Sequence, residues 1–154
     1  MIDTNDLKLG NYVTFKKLDG SFELVQINSV FRSGVSFDGF MRETGNPNYP
    51  YEVKIKPREE LMPVSLNDNL IADGLRLVKY QNNGETRFFF SGKRSTYFLG
   101  KDYESGKYFI GIDFRGEVIH CVNNLEYLHE LQNAYYSIYR SEMDITPTFL
   151  AKNL

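Results

Sequence analysis

Tryptophan is absent from this chain, and cysteine occurs once in 154 residues, at Cys121. A lone cysteine excludes an intramolecular disulfide, and with no second one there is no zinc-site spacing to find. That usage fits a reducing compartment. Proline is sparse, at five residues. No apolar run approaches the roughly 18 residues that a membrane-spanning helix needs, so no membrane is expected as a partner. Charge of one sign is lacking too: 18 Lys and Arg face 20 Asp and Glu, for a net −2. The whole chain therefore exerts no strong pull on nucleic acid or anionic lipid. The segment Met1-Ile2-Asp3-Thr4-Asn5-Asp6 has neither a basic nor an apolar stretch, so no signal peptide is expected and the expected location is the cytoplasm.

What the chain does hold is Phe and Tyr, 12 and 11 of them. Both favour half-buried pleated surfaces, which points to sheet. The apolar fraction is 42% and the charged fraction 25%, a balance that suits a globular protein. A chain of this length buries about two-thirds of its unfolded surface and folds without staples.

Residues 7–64 read as short strands joined by tight turns. Leu7 to Phe15 leads into a first strand, and Asp19-Gly20 is a hairpin signal. Phe22 to Val30 alternates in two registers, which predicts a strand with a bulge where the registers change, between Leu24 and Val25. Val35 to Phe37, Phe40 to Arg42 and Val53 to Lys56 read as three more strands. Thr44 to Pro50 reads as a loop, because its two prolines and Gly45 oppose any ladder. Five strands in so short a span predict a small SH3-like barrel over 1–64, with a plain curved sheet as the alternative.

The remainder, 65–154, predicts a short helix, an antiparallel β meander and a C-terminal amphipathic helix, either as a second lobe or in one shared core. Ser65 is a cap candidate with Asp68 three residues on, and Gly74 is placed to end that helix. Strands are expected over Leu75–Tyr80, Thr86–Ser91, Ser95–Leu99, Lys107–Asp113 and Glu117–Val122, separated by connections too short for parallel crossovers. Asn123 or Asn124 is expected to cap a helix from about Asn124 to Tyr139. Leu125, Leu128, Leu131, Tyr135, Ile138 and Tyr139 would form its apolar face. Thr146-Pro147 should stop any continuation, leaving a loosely packed tail. The fold class is α+β.

Several sites can be weighed from residue types alone. His120 and Cys121 are strand neighbours that point apart, and His129 lacks a second ligand at helical spacing, so no metal site is expected. Cys121 reads more readily as a small buried residue than as a nucleophile. Ser91-Gly92-Lys93-Arg94-Ser95-Thr96 lacks the first glycine of a phosphate loop and the long helix that should follow it. No catalytic constellation and no cofactor are expected.

Two constellations remain. Arg76, Lys79, Arg87, Lys93, Arg94 and Lys101 are interleaved with aromatics and oppose one acid, Glu85. A basic aromatic sheet face is a way to hold a single nucleic-acid strand, and Arg87, Lys93 and Arg94 are its candidates. The simpler reading is alternation, with the aromatics in the core and the cations solvated. On the last helix, His129, Gln132, Asn133 and Tyr136 lie together by i+3 and i+4 spacing and form a candidate strip for a protein partner. The structural reading is preferred there: the strip flanks the buried face and ties the helix to the sheet by hydrogen bonds.

The helix also carries a family resemblance. Leu128-His129-Glu130-Leu131-Gln132-Asn133-Ala134-Tyr135-Tyr136-Ser137-Ile138 resembles the closing segment of a family of uncharacterised proteins from prophages and mobile elements of the Bacteroidota. Glu142-Met143 stands where that family has Glu-Leu, and Tyr139-Arg140 where it has Thr-Gly, so the helix is expected to run on there. Leu7-Lys8-Leu9-Gly10-Asn11-Tyr12-Val13 is similar to the family's opening, and Met62 to Leu66 with Gly74-Leu75 to its middle. The resemblance implies a phage or mobile-element setting in a bacterial host and carries no activity with it. The expected function is a non-enzymatic binding or protein-interaction module, with a nucleic-acid-binding accessory factor as the alternative.

Overall fold

A computed structural model describes residues 2, 6–16, 19–31, 34–37, 54–56, 61–82, 84–90 and 97–152. It is an α+β protein with two antiparallel five-stranded sheets, and the chain divides into two compact units. The first comprises Met1–Val64 and Leu128–Glu142; the second comprises Ser65–Tyr127 and Met143–Asn153. The last long helix thus groups with the N-terminal strands and not with the meander that precedes it.

The first unit contains β1 (Tyr12–Lys16), β2 (Phe22–Phe31), β3 (Gly34–Phe37), β4 (Lys54–Lys56) and β5 (Leu61–Met62), in the order β4-β3-β2-β1-β5. Alternation in β1 and β2 sends Val13, Phe15, Val25 and Ile27 inward, where they meet Val35, Phe37 and Leu61. The Phe15 and Phe37 rings sit 5.6 Å apart between centroids. The bulge in β2 lies at Asn28, between the Ile27 and Ser29 pairs, and not at the expected shift between Leu24 and Val25. Residues 22–26 stay in register with β1, and from Ile27 onward β2 pairs with β3 on both sides of the shift. β5 has no counterpart in the sequence reading, since two residues before a proline carry no periodic signal. The expected strand Phe40–Arg42 and the loop Thr44–Pro50 lie outside the described residues.

α1 (Leu128–Tyr139) completes this unit. It starts later than expected, because the preceding strand runs on to Leu125, with Asn124 held at a φ of 60°. Neither Asn123 nor Asn124 is a helix cap. The helix buries Leu128, Leu131, Ala134 and Tyr135. It does not run past Arg140, which adopts a left-handed φ of 55° and donates its N–H to the Tyr136 carbonyl at 2.8 Å. An arginine here takes the conformation that glycine usually supplies at a helix end.

The second unit opens with a π-helical turn, Leu70–Gly74. The cap is Asn67, whose side-chain oxygen accepts from Leu70 N–H at 2.9 Å; Ser65 instead bridges to Tyr127. Gly74 does not take the left-handed conformation expected of it; Arg76 does, at φ 53°. The meander is β6 (Val78–Asn82), β7 (Glu85–Phe89), β8 (Tyr97–Lys101), β9 (Tyr108–Phe114) and β10 (Glu117–Leu125), paired in sequence order. Phe88, Leu99 and Ile110 line up across three strands and are buried on one face.

The tail is not loose. Pro147 opens α2 (Pro147–Lys152), and Leu150 is 1% exposed. Proline at a first helical position loses no hydrogen bond, so the residue expected to stop a helix starts one. α2 packs on the π-turn at Gly74, where a Cβ would stand 2.9 Å from Leu70 Cδ1 and 3.0 Å from Phe149 Cδ1. Gly74→Ala should therefore lower stability by about 1–3 kcal/mol through overpacking, read as a reduced urea midpoint at unchanged slope.

Candidate functional site

The strip on α1 is largely turned inward. His129 and Gln132 are buried, Asn133 is half-buried and Tyr136 is 40% exposed. The Gln132 side-chain oxygen accepts from Tyr12 N–H at 2.9 Å, and its amide nitrogen donates to the Gly10 carbonyl at 2.9 Å. The Asn133 amide donates to the Asp6 carbonyl at 2.6 Å, and its oxygen accepts from the buried Asn11 amide at 3.1 Å. Asn11 in turn accepts from Lys8 N–H at 2.7 Å. These amides close the entry to β1. Beside them lies a groove of about 450 Å³ bordered by Leu9, Val30 and Tyr136.

Replacing Gln132 with Ala strands the Tyr12 donor and leaves the Gly10 carbonyl only the Gln26 side-chain amide, at 3.2 Å. It should cost about 1–3 kcal/mol in denaturant unfolding. Gln132→Glu keeps an acceptor for Tyr12 but sets a carboxylate against the Gly10 carbonyl, and should cost at least as much.

Burial pushes the His129 pKa down, against the milder opposite pull of Glu130 and Asp6. The folded chain thus holds the ring neutral at pH values where the unfolded chain, titrating near 6.5, takes up a proton. The contribution of His129 to stability is complete above about pH 6.5 and falls as pH drops below it. Thermal melts between about pH 8 and pH 5 should show His129→Leu losing less stability on acidification than the parent.

The solvent face of the second sheet is built differently. The cross-strand pairs Tyr80–Arg87, Phe89–Phe98, Phe98–Gly111 and Gly111–His120 place one set of side chains on that face. Tyr80, Phe89, Phe98, Phe109 and His120 form a continuous track with one ring from each strand, at successive centroid distances of 6.4, 5.9, 6.1 and 3.8 Å. The last pair is stacked, at 11° between planes. Gly100 makes room for this: a Cβ there would collide with the Phe109 ring tip. A groove of about 380 Å³ opens over the Phe98, Phe109 and His120 part of the track, with Glu85, Arg87, Lys101, Asp102, Tyr103 and Glu104 among its walls.

Arg87 sits on this track. Its guanidinium lies 4.4 Å from the Phe98 centroid and pairs with Glu85 at 2.9 Å and Asp113 at 2.5 Å. Two carboxylates thus neutralise the cation proposed for phosphate contact and fix it as a lid on Phe98. Lys101 pairs with Asp68 at 3.3 Å. The Tyr108 hydroxyl donates to the same Asp68 carboxylate; this bond, followed by the Lys101 charge, holds the Asp68 pKa down. Burial and that carboxylate push the Tyr108 pKa far up. Lys93 and Arg94, the other two candidate cations, lie outside the described residues.

Cys121 is exposed, not buried as expected. It falls at the register shift between His120 and Val122, where β10 carries a residue with no partner in β9. His120 is committed to the Phe109 stack and to Asn123, 2.9 Å from Nδ1. Among the described residues no three His, Cys, Asp or Glu side chains gather as a metal site. Among them, too, no helix is long and apolar enough to cross a membrane. Sequence reasoning listed the aromatics individually and missed the track, because which strand lies beside which, and in what register, has no local signal. No family model, curated protein or solved structure matches the chain.

Proposed function

We propose that the protein is a non-enzymatic binding module that engages a partner protein through the aromatic face of its second sheet. The observation that carries this reading is the five-ring track with its solvent-open groove. Aromatic side chains supply large contact area at low entropic cost, which is why they are enriched at protein interfaces. The charge pattern favours a protein over a nucleic-acid strand. Glu85, Asp102 and Glu104 line the groove, and among the described residues its two cations, Arg87 and Lys101, are already paired with carboxylates.

The setting in a phage or mobile element, and in the cytoplasm of a bacterial host, rests on the sequence resemblance of the α1 segment and on the lone cysteine. An SH3-like barrel for the first unit is supported by β2, which pairs with β1 along one half and with β3 along the other, although among the described residues β4 and β5 stand as open edges.

The test is capture from a bacterial host lysate with the full chain as bait, beside a Tyr103→Ala plus His120→Ala variant. Both side chains are exposed, so the variant should fold. A protein retained by the parent and lost by the variant at an unchanged melting temperature is the expected result. Equal retention by both would remove the aromatic face from the proposal. Steeply salt-dependent binding of single-stranded DNA or RNA would favour the nucleic-acid alternative instead.

A further inference from the structure

The two edges of the second sheet are protected unequally. β10 carries two register shifts and a left-handed Asn124, which break up a regular pairing edge. β6 carries none of these. It is five residues long and has neither Pro nor Gly, and Val78 and Tyr80 are 59% and 52% exposed on one face while Lys79 and Gln81 are exposed on the other. Lys79, the residue type that usually guards an edge, lies where its charge acts on Asp68.

Which backbone groups face outward follows from the hairpin. Asn82 pairs with Glu85 across a two-residue connection, and in such hairpins the closing pair exchanges hydrogen bonds. Alternation then directs the N–H and C=O of Val78, Tyr80 and Asn82 toward β7, and those of Lys79 and Gln81 outward. Among the described residues no backbone hydrogen bond reaches those outward groups.

We propose that β6 is a docking edge for a second copy of this chain, joined antiparallel about a two-fold axis at Tyr80. The strand is complementary to itself in that register. Lys79 stands opposite Gln81 of the second copy, each pair exchanging both backbone bonds, and no like charges face each other. Tyr80 meets Tyr80 of the second copy at a non-hydrogen-bonded position, where side chains come closest. The two aromatic tracks then join end to end across one continuous sheet. An isologous contact of this kind closes at two copies, leaving only the bulged β10 edges outermost. The proposal is independent of which partner the aromatic face binds.

Sedimentation velocity of the full chain over a wide concentration range, with amide hydrogen exchange by NMR, tests it. The expected result is a monomer–dimer equilibrium in which the Lys79 and Gln81 amides exchange slowly at high concentration and fast on dilution, while the Tyr80 amide stays slow throughout. Lys79→Pro and Gln81→Pro each remove an outward N–H and leave the β7 ladder intact, so each should give a monomer with unchanged circular dichroism. A parent that is monomeric at every concentration overturns the proposal. So does a dimer whose Lys79 and Gln81 amides exchange freely, or one that survives both proline substitutions.

Discussion

One side-chain amide holds the first unit together at its weakest point. β1 is paired on one edge by β2 along its length, but β5 covers the other edge only at Thr14 and Phe15. The exposed remainder would leave the Tyr12 donor without a partner and the Gly10 acceptor with only the Gln26 side-chain amide at 3.2 Å. Gln132 serves both groups, contacting the backbone as a neighbouring strand would. Its neighbour Asn133 reaches one step earlier in the chain, donating to the Asp6 carbonyl and accepting from the Asn11 side-chain amide. Helix α1 is therefore more than an apolar cover, because it contributes polar groups that substitute for missing sheet.

The second unit solves its packing by the opposite route. Its inward face is apolar, with Phe88, Leu99 and Ile110 lined up across three strands. Its outward face is also rich in rings, organised by contact with one another and ranging from exposed Tyr80 and His120 to half-buried Phe89 and Phe109. Arg87, clamped by Glu85 and Asp113, covers Phe98, leaving it 1% exposed on what is formally the solvent side. Charge is thus used here to shield an aromatic surface, and a cation spent in this way is not available to a phosphate.

The α+β class, the antiparallel meander and most of its strands were legible because period-2 alternation and Gly-containing turns are local signals. The ends of elements were not. Asn123 and Asn124 have the chemistry of helix caps, yet strand pairing with β9 carries β10 through them to Leu125. Pro147 has the chemistry of a helix breaker and begins one. The α1 strip was recognisable as unusual, since Gln132 and Asn133 do not fit an apolar stripe, but its partners are 120 residues and more away in sequence. The ring track was illegible for the same reason, since it exists only once five strands are in register.

The first unit is discontinuous, and that has a bearing on synthesis. Its strands leave the ribosome early, while Leu128–Glu142, with Gln132, emerges only after the whole meander has been made. Until then the Tyr12 N–H at the open edge of β1 has no native acceptor, and the Gly10 carbonyl has only the Gln26 amide. Vectorial translation therefore gives the nascent chain a prolonged interval with an unfinished N-terminal sheet, during which a chaperone or a slow ribosome would matter most. A fragment cut after Val64 would preserve that interval permanently, so the N-terminal strands cannot be treated as a portable domain.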